Sequence, residues 1–171
     1  AGISWKSRLM PVKVLTASGE GSYSDLMEGI IYAVDHGARI LNLSLGGYSG
    51  SQFLGDAIQY AHSSRAVIIA AGGNENSVEQ LYPAAYPNVI GVSATDPFDQ
   101  RWPSSNYGNY IRLSAPGVGV LSTQRENRYG EATGTSVSTA HVSGVAALIL
   151  SKNTDFSNTQ AENILYQTAD D

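Results

Sequence analysis

The chain has 171 residues, a length typical of a single domain. Hydrophobic residues make up 42% of the chain and charged residues 15%, so the composition supports a packed core and excludes an intrinsically disordered protein. The net charge of −5, without any basic cluster, argues against a nucleic-acid partner or an anionic membrane surface. The absence of cysteine excludes disulfide bonds, thiolate catalysis and Cys-ligated zinc.

Short apolar runs alternate with segments of helical periodicity. In chain order, we predict a strand over Arg8–Leu15, a helix over Ser24–His36, a strand over Arg39–Leu45, a helix over Gln52–Ser63, strands over Ala66–Ala71, Val89–Ala94 and Tyr110–Ser114, and helices over Ser136–Lys152 and Ser157–Thr168. The second helix is expected to bury Phe53 together with Leu54. The longest apolar run near the C-terminus, Val145–Leu150, is far shorter than a membrane span.

Apolar strands separated by helices predict an α/β fold with three layers, in which helices cover both faces of a mainly parallel sheet. Ligands bind at the carboxyl ends of the strands in such sheets. Three glycine-rich segments lie there: Ser44–Gly47, Gly72–Glu75 and the loop before the Ser136–Lys152 helix. A nucleotide-binding domain is one alternative, but the chain lacks the glycine spacings that cradle phosphates.

The segment Gly134–Gly144 places Ser136 at the start of an apolar helix. A helix N-terminus offers unpaired N–H groups and a partial positive charge, which suit the oxyanion formed when a serine attacks a carbonyl. The alternative interpretation is that Ser136 is only the N-cap of this helix.

The sequence resembles the subtilisin-like serine proteases. GTSVSTAHVSGVAALIL is similar to the family's nucleophile segment, Gly-Thr-Ser-x-[Ala/Ser]-x-Pro-His-Val-[Ala/Ser]-Gly. The segments LMPVKVL, GEGSYSDLMEGIIYAVDHGARILNLSLGG, AVIIAAGGNEN, YPAAYPNVIGVSATD and LSAPGVGVLST also match, in the family's order. Ala140 stands where the family has proline, and Gly72 where alanine is common. From Gly72 we expect a slightly wider pocket wall.

The resemblance implies a serine endopeptidase with Ser136 as nucleophile and the Asn74 side-chain amide as oxyanion donor. It also implies two cleft edges that pair with extended substrate and a primary specificity pocket with a cis Tyr–Pro bond at its rim. The implied substrate-binding residues are Gly21, Ser22 and Tyr23 on one edge, Ser44, Leu45 and Gly46 on the other, Ala71, Gly72 and Gly73 along the pocket, and Tyr82 and Pro83 at its rim. A pocket walled by glycine suggests a large apolar or aromatic substrate residue.

The family's catalytic aspartate and histidine segments lie upstream of the strand that Leu9–Leu15 resembles, and neither motif occurs in this chain. His36, His62 and His141 are poor replacements for the base, so we expect the chain by itself to be inactive. Residues 1–171 are thus expected to form part of a subtilisin-like peptidase domain, truncated at both ends.

The family's strand order places the aspartate-bearing strand between Leu9–Leu15 and Arg39–Leu45. Either these strands pair directly, or the missing N-terminal segment or a second copy fills the gap.

We expect a protein or peptide substrate, no nucleic acid or membrane partner, and a secreted, extracellular bacterial protein. No cofactor is expected for the chemistry, although structural calcium at Asp96, with carbonyls near Ala84 and Tyr86, is one possibility. A non-catalytic peptide-binding or interaction module derived from the same fold is the alternative function.

Overall fold

A computed structural model describes residues 2–170; Ala1 and Asp171, the ends of the predicted unit, lie outside the described residues. Its centre is a four-stranded parallel sheet in the order β1-β2-β3-β4. The elements are α1 (Tyr23–Asp35), β1 (Ile40–Leu43), α2 (Gln52–Ser63), β2 (Val67–Ala71), β3 (Ile90–Thr95), β4 (Ile111–Pro116), β5 (Val120–Gln124), β6 (Arg128–Ala132), α3 (Thr135–Lys152) and α4 (Asn158–Gln167), with a short 3-10 turn between β5 and β6.

Strand β2 explains the three layers, because its side chains alternate between two hydrophobic clusters. Ile68 and Ala70 pack with α1 and α2, whereas Val67 and Ile69 pack with α3 and α4 on the other face. All five β2 residues are buried, as expected for a parallel strand covered on both sides. The predicted three-layer α/β/α architecture is confirmed. Within residues 2–170, no helix combines the length and apolar content needed to cross a bilayer.

The predicted strand over Arg8–Leu15 is wrong, because this segment joins neither sheet. Its apolar residues Val12 and Val14 pack instead on α1, where their methyl groups lie 3.2 and 2.5 Å from the position that a Cβ on Gly29 would take. A strand needs a hydrogen-bonding neighbour, and β1 is the end strand of its sheet. Direct pairing of the two flanking segments across the gap is therefore also wrong.

Two further features differ from the sequence prediction. Phe53 is 74% exposed. The buried face of α2 is formed by Leu54, Ala57, Ile58 and Ala61, and Phe53, one residue before Leu54, lies outside this face. The antiparallel hairpin β5–β6 was not predicted, since its strands are mostly exposed and polar.

The N-terminus of α4 permits a test of helix capping. Ser157 is the N-cap, and its side chain and that of Gln160 form a capping box, whereas Ser51, the N-cap of α2, makes no side-chain cap bond. We expect Ser157→Ala to lower the free energy of unfolding by about 1 kcal/mol. The matched Ser51→Ala change should have a smaller effect in the same denaturant titration. Equal losses of unfolding free energy in the two variants would show that the capping-box hydrogen bonds add no stability.

Candidate active site

Ser136 is the second residue of α3 and follows Gly134 and Thr135, which are both buried. The N-cap is Gly134, with φ 146°, a backbone conformation that side chains disfavour and glycine accepts. The interpretation of Ser136 as a simple N-cap is therefore wrong. Its backbone N–H belongs to the first turn, where N–H groups lack helical partners.

Ser136 is held against the carboxyl end of β1 by an exchange of hydrogen bonds with Ser44. The Ser44 hydroxyl donates to the Ser136 carbonyl at 2.9 Å, and the Ser136 hydroxyl lies 3.4 Å from the Ser44 carbonyl oxygen. The second bond is long and weak. The predicted nucleophile and the predicted second cleft edge are therefore adjacent.

Asn74 follows β2 and reaches the same helix start. Its Oδ1 accepts hydrogen bonds from the Thr135 N–H at 2.9 Å and from the Thr135 hydroxyl at 3.0 Å. The Thr135 hydroxyl in turn accepts from the Gly73 N–H at 3.1 Å. Both contacts hold the oxygen end of the Asn74 amide and leave its Nδ2 group outside the junction with Thr135.

Asn106, which the sequence analysis did not single out, braces the loop that carries Asn74. It is fully buried, and its Oδ1 accepts from the backbone N–H groups of Glu75 at 2.9 Å and Ser77 at 3.1 Å. Its own N–H donates to the Gly73 carbonyl at 2.9 Å. A lone asparagine far along the chain carries no local signal of this role.

The predicted first cleft edge lies at the start of α1. Ser22 is the N-cap and exchanges hydrogen bonds with Asp25, while the Tyr23 hydroxyl donates across to the Ser49 carbonyl. Gly21 packs closely on the Val14 carbonyl oxygen. The first edge is thus tied to the loop that continues the second edge.

The second edge continues into a short antiparallel bridge between Gly47 and Tyr82, whose backbones exchange two hydrogen bonds of 2.8 Å. The Tyr82–Pro83 peptide bond is cis, as the resemblance implied.

Ala71, Gly72 and Gly73 form a buried wall at the end of β2. The expectation that Gly72 widens the pocket is wrong, because a Cβ there would lie 2.5 Å from Ile111 Cδ1 and 2.8 Å from the Val92 carbonyl oxygen, inside the fold. The Tyr110 hydroxyl donates to the Gly72 carbonyl at 2.9 Å, and burial raises the pKa of Tyr110. Residues from the interior of the fold therefore pack against Gly72.

None of the histidines described in residues 2–170 is hydrogen-bonded to Ser136. His36 and His141 contact carbonyls of their own helices, those of Tyr32 at 2.7 Å and Val137 at 3.1 Å. His62 lies 3.7 Å from Glu162, where burial lowers the pKa of His62 and raises the pKa of Glu162.

Asp96 acts as a turn residue. Its Oδ1 accepts from the N–H groups of Phe98 at 2.8 Å and Gln100 at 3.0 Å. Across residues 2–170, no three His, Asp or Glu side chains gather in a way that could hold a metal ion. Calcium at Asp96, with carbonyls near Ala84 and Tyr86, stays a prediction.

A serine at a helix N-terminus beside an anchored amide, at the carboxyl edge of a parallel sheet, is an arrangement found in the serine-hydrolase class. The model of the Subtilase family, Peptidase S8, matches residues 1–171. The chain therefore belongs to the subtilase family of serine proteases, as the motifs predicted.

Its relatives include thermitase of Thermoactinomyces vulgaris, 40% identical over 94% of this chain and 58% of the relative, and subtilisin Savinase of Lederbergia lenta, 42% identical over 98% of this chain and 62% of the relative. A crystal structure of a cold adapted subtilisin-like serine proteinase superposes with a TM-score of 0.87 at 34% identity, covering 92% of this chain and 58% of that one. The chain spans 58–62% of these three proteins.

Proposed function

We propose that this chain supplies the nucleophile, the oxyanion hole and most of the substrate cleft of a serine endopeptidase. The observation that carries the proposal is the hydrogen-bonded junction at the start of α3, where Thr135 anchors Asn74 and the next residue is Ser136. Membership of the subtilase family supports the same reaction class.

In the proposed reaction, Ser136 Oγ attacks the carbonyl carbon of a peptide bond and forms a tetrahedral oxyanion. The Asn74 Nδ2 group and the Ser136 backbone N–H donate hydrogen bonds to that oxygen. The leaving amine takes up the proton that Ser136 Oγ lost and departs, which leaves an ester on Ser136; water then releases the acid and restores the hydroxyl. The cleft edges at Tyr23 and Ser44 hold the extended peptide by backbone hydrogen bonds.

The proton of Ser136 needs a base that residues 2–170 do not place beside it. We assign the base and its aspartate to a segment upstream of this chain, so that the chain by itself is inactive. The open edge of β1 is the surface on which such a segment, or a second copy, would add a strand. By analogy with its bacterial relatives, the complete protein is assigned to the extracellular space.

A fluorophosphonate probe tests this proposal, because it labels only an activated serine. We expect negligible labelling of the chain alone and labelling at least about 10³-fold faster when it is joined to an upstream segment with the family's aspartate and histidine. Intact mass and peptide mapping should place the label on Ser136, and Ser136→Ala should abolish it.

Two outcomes would contradict the proposal. Rapid labelling of Ser136 in the chain alone would mean that the base is already present. A joined protein that folds and binds peptides but takes no label would favour the non-catalytic peptide-binding module.

A further inference from the structure

Asn42 is a polar residue on the side of β1 that faces α3. Leu41 and Leu43, the residues on either side of it, are buried in the hydrophobic cluster on the α1 and α2 side of the sheet. Because side chains alternate along a strand, Asn42 lies on the opposite face, as does Ser44. Ser44 directly follows β1 and begins the second cleft edge. Asn42 and this edge therefore share one face of the sheet.

A chain of side-chain hydrogen bonds joins this face of β1 to α3. The Asn42 Nδ2 group donates to the Ser44 hydroxyl at 3.0 Å, and that hydroxyl donates in turn to the Ser136 carbonyl at 2.9 Å. At the other end, the Ser143 hydroxyl shares its hydrogen between Asn42 Oδ1 at 3.0 Å and the Thr139 carbonyl at 2.9 Å. Ser143 comes about two helical turns after Ser136 on the same face of α3. The chain therefore binds β1 to α3 at two points.

The orientation of the Asn42 amide directs the Ser44 hydroxyl. Since Asn42 Nδ2 donates to the Ser44 oxygen, the hydroxyl hydrogen of Ser44 points away from Asn42 and toward the Ser136 carbonyl. Asn42 Oδ1 faces Ser143, which fixes the opposite end of the amide. Without Asn42, the Ser44 hydroxyl is free to rotate and to donate to water.

The carboxyl end of β1 has few other constraints. Within residues 2–170, β1 pairs only with β2, and their register ends at Leu43. The cleft edge is next tied at Gly47, by its bridge to Tyr82. An extended peptide on this edge must bring its scissile carbonyl to Ser136 Oγ, and a displacement of about 1 Å can cost about 10²-fold in rate. The contact between Ser44 and α3 therefore sets a distance that matters for the reaction.

We propose that Asn42 is a positioning residue, which acts through the Ser44 hydroxyl to hold the second cleft edge at the correct distance from the nucleophile. This inference rests on the proposed function, because it concerns the same cleft. In this role Asn42 contacts neither the peptide nor the reacting atoms.

Two reagents test the inference in the chain joined to an upstream segment that carries the family's aspartate and histidine. We expect Asn42→Ala to lower kcat for a chromogenic peptide at least about 10-fold, with a smaller change in KM. A small fluorophosphonate does not use the cleft edge, so its rate of labelling Ser136 should change by less than about 2-fold. Asn42 is exposed, so the guanidinium unfolding midpoint should change little.

Two further variants isolate the hydrogen bond to Ser44. Asn42→Asp keeps an acceptor for Ser143 but replaces the Nδ2 donor by an oxygen to which the Ser44 hydroxyl can turn, so kcat should fall as in Asn42→Ala. In a Ser44→Ala background, Asn42→Ala should cause no further loss, because the hydroxyl through which it acts is already absent. The matched control is Asn163→Ala, at an exposed asparagine on α4, which should leave both rates unchanged.

The outcomes separate the inference from the proposed function. Unchanged peptide hydrolysis in Asn42→Ala, or equal losses of hydrolysis and labelling, would overturn the inference and leave the proposed function in place. Additive losses in the double variant would also overturn it, because Asn42 would then act independently of Ser44. Absence of labelling in the unaltered joined protein would contradict the proposed function and remove both.

Discussion

Replacing Asn74 by leucine is expected to lower kcat by about 10²–10³ with little change in KM, the size of loss measured for the oxyanion asparagine of subtilisin itself. The protein to assay is the chain joined to an upstream segment that carries the family's aspartate and histidine, as in the fluorophosphonate test. The Asn74 amide would contact the oxygen only once charge develops on it, so its removal weakens transition-state binding and leaves ground-state binding alone. Steady-state hydrolysis of a chromogenic peptide gives both constants.

Asn74→Asp sharpens the test. Aspartate retains an oxygen for the two hydrogen bonds from Thr135 but replaces the Nδ2 donor by an acceptor, so a large loss in a well-folded variant isolates the donor. Asn109→Leu, an exposed asparagine elsewhere on the surface, is the control and should be neutral. Full activity of Asn74→Asp would contradict the oxyanion role.

Most of the fold was predictable because its signals are local. The helix over Gln52–Ser63 was predicted at both ends, and the predictions for the other helices and for β1 to β4 differ from the structure by one or two residues at most of their ends. Apolar strands buried on both faces predicted the parallel sheet. The position of Ser136 at a helix start followed from the Gly-Thr-Ser motif, and the cis bond before Pro83 followed from the family resemblance.

The errors concern features that depend on distant parts of the chain. Arg8–Leu15 has the composition of a strand, but strand formation needs a partner that the described chain does not provide. The hairpin β5–β6 turns through Glu126 and Asn127, both with positive φ, and buries too little to show alternation. Periodicity alone does not reveal either feature.

The site was predicted less fully than the fold, for a similar reason. The sequence motifs identified Asn74 and Ser136, but they did not identify the side chains that pack around these two residues. Asn106 supports the Asn74 loop from a position 32 residues away in sequence. The side chain of Leu81 packs against Gly46, which is also distant in sequence, only in the folded chain. Such packing partners have no sequence pattern of their own.

Thr135→Val is expected to lower the free energy of unfolding of the chain by about 2–3 kcal/mol. Valine matches threonine in shape but removes the hydroxyl that joins Gly73 to Asn74. The buried Gly73 N–H then lacks an acceptor, which is costlier than the loss of an exposed hydrogen bond. Guanidinium unfolding measures the change, and in the completed enzyme kcat should fall because Asn74 loses an anchor.

Thr139→Val is the matched control for this prediction. Thr139 is also fully buried on α3, but its hydroxyl contacts only the Thr135 carbonyl one turn earlier, which still accepts the helical N–H of Thr139. We expect its loss to stay below about 1 kcal/mol, with kcat unchanged. Thr135→Ser, which keeps the hydroxyl, should recover most of the activity. Equal losses in the two valine variants, or no recovery by serine, would mean that burial rather than the Gly73–Thr135–Asn74 hydrogen bonds governs this junction.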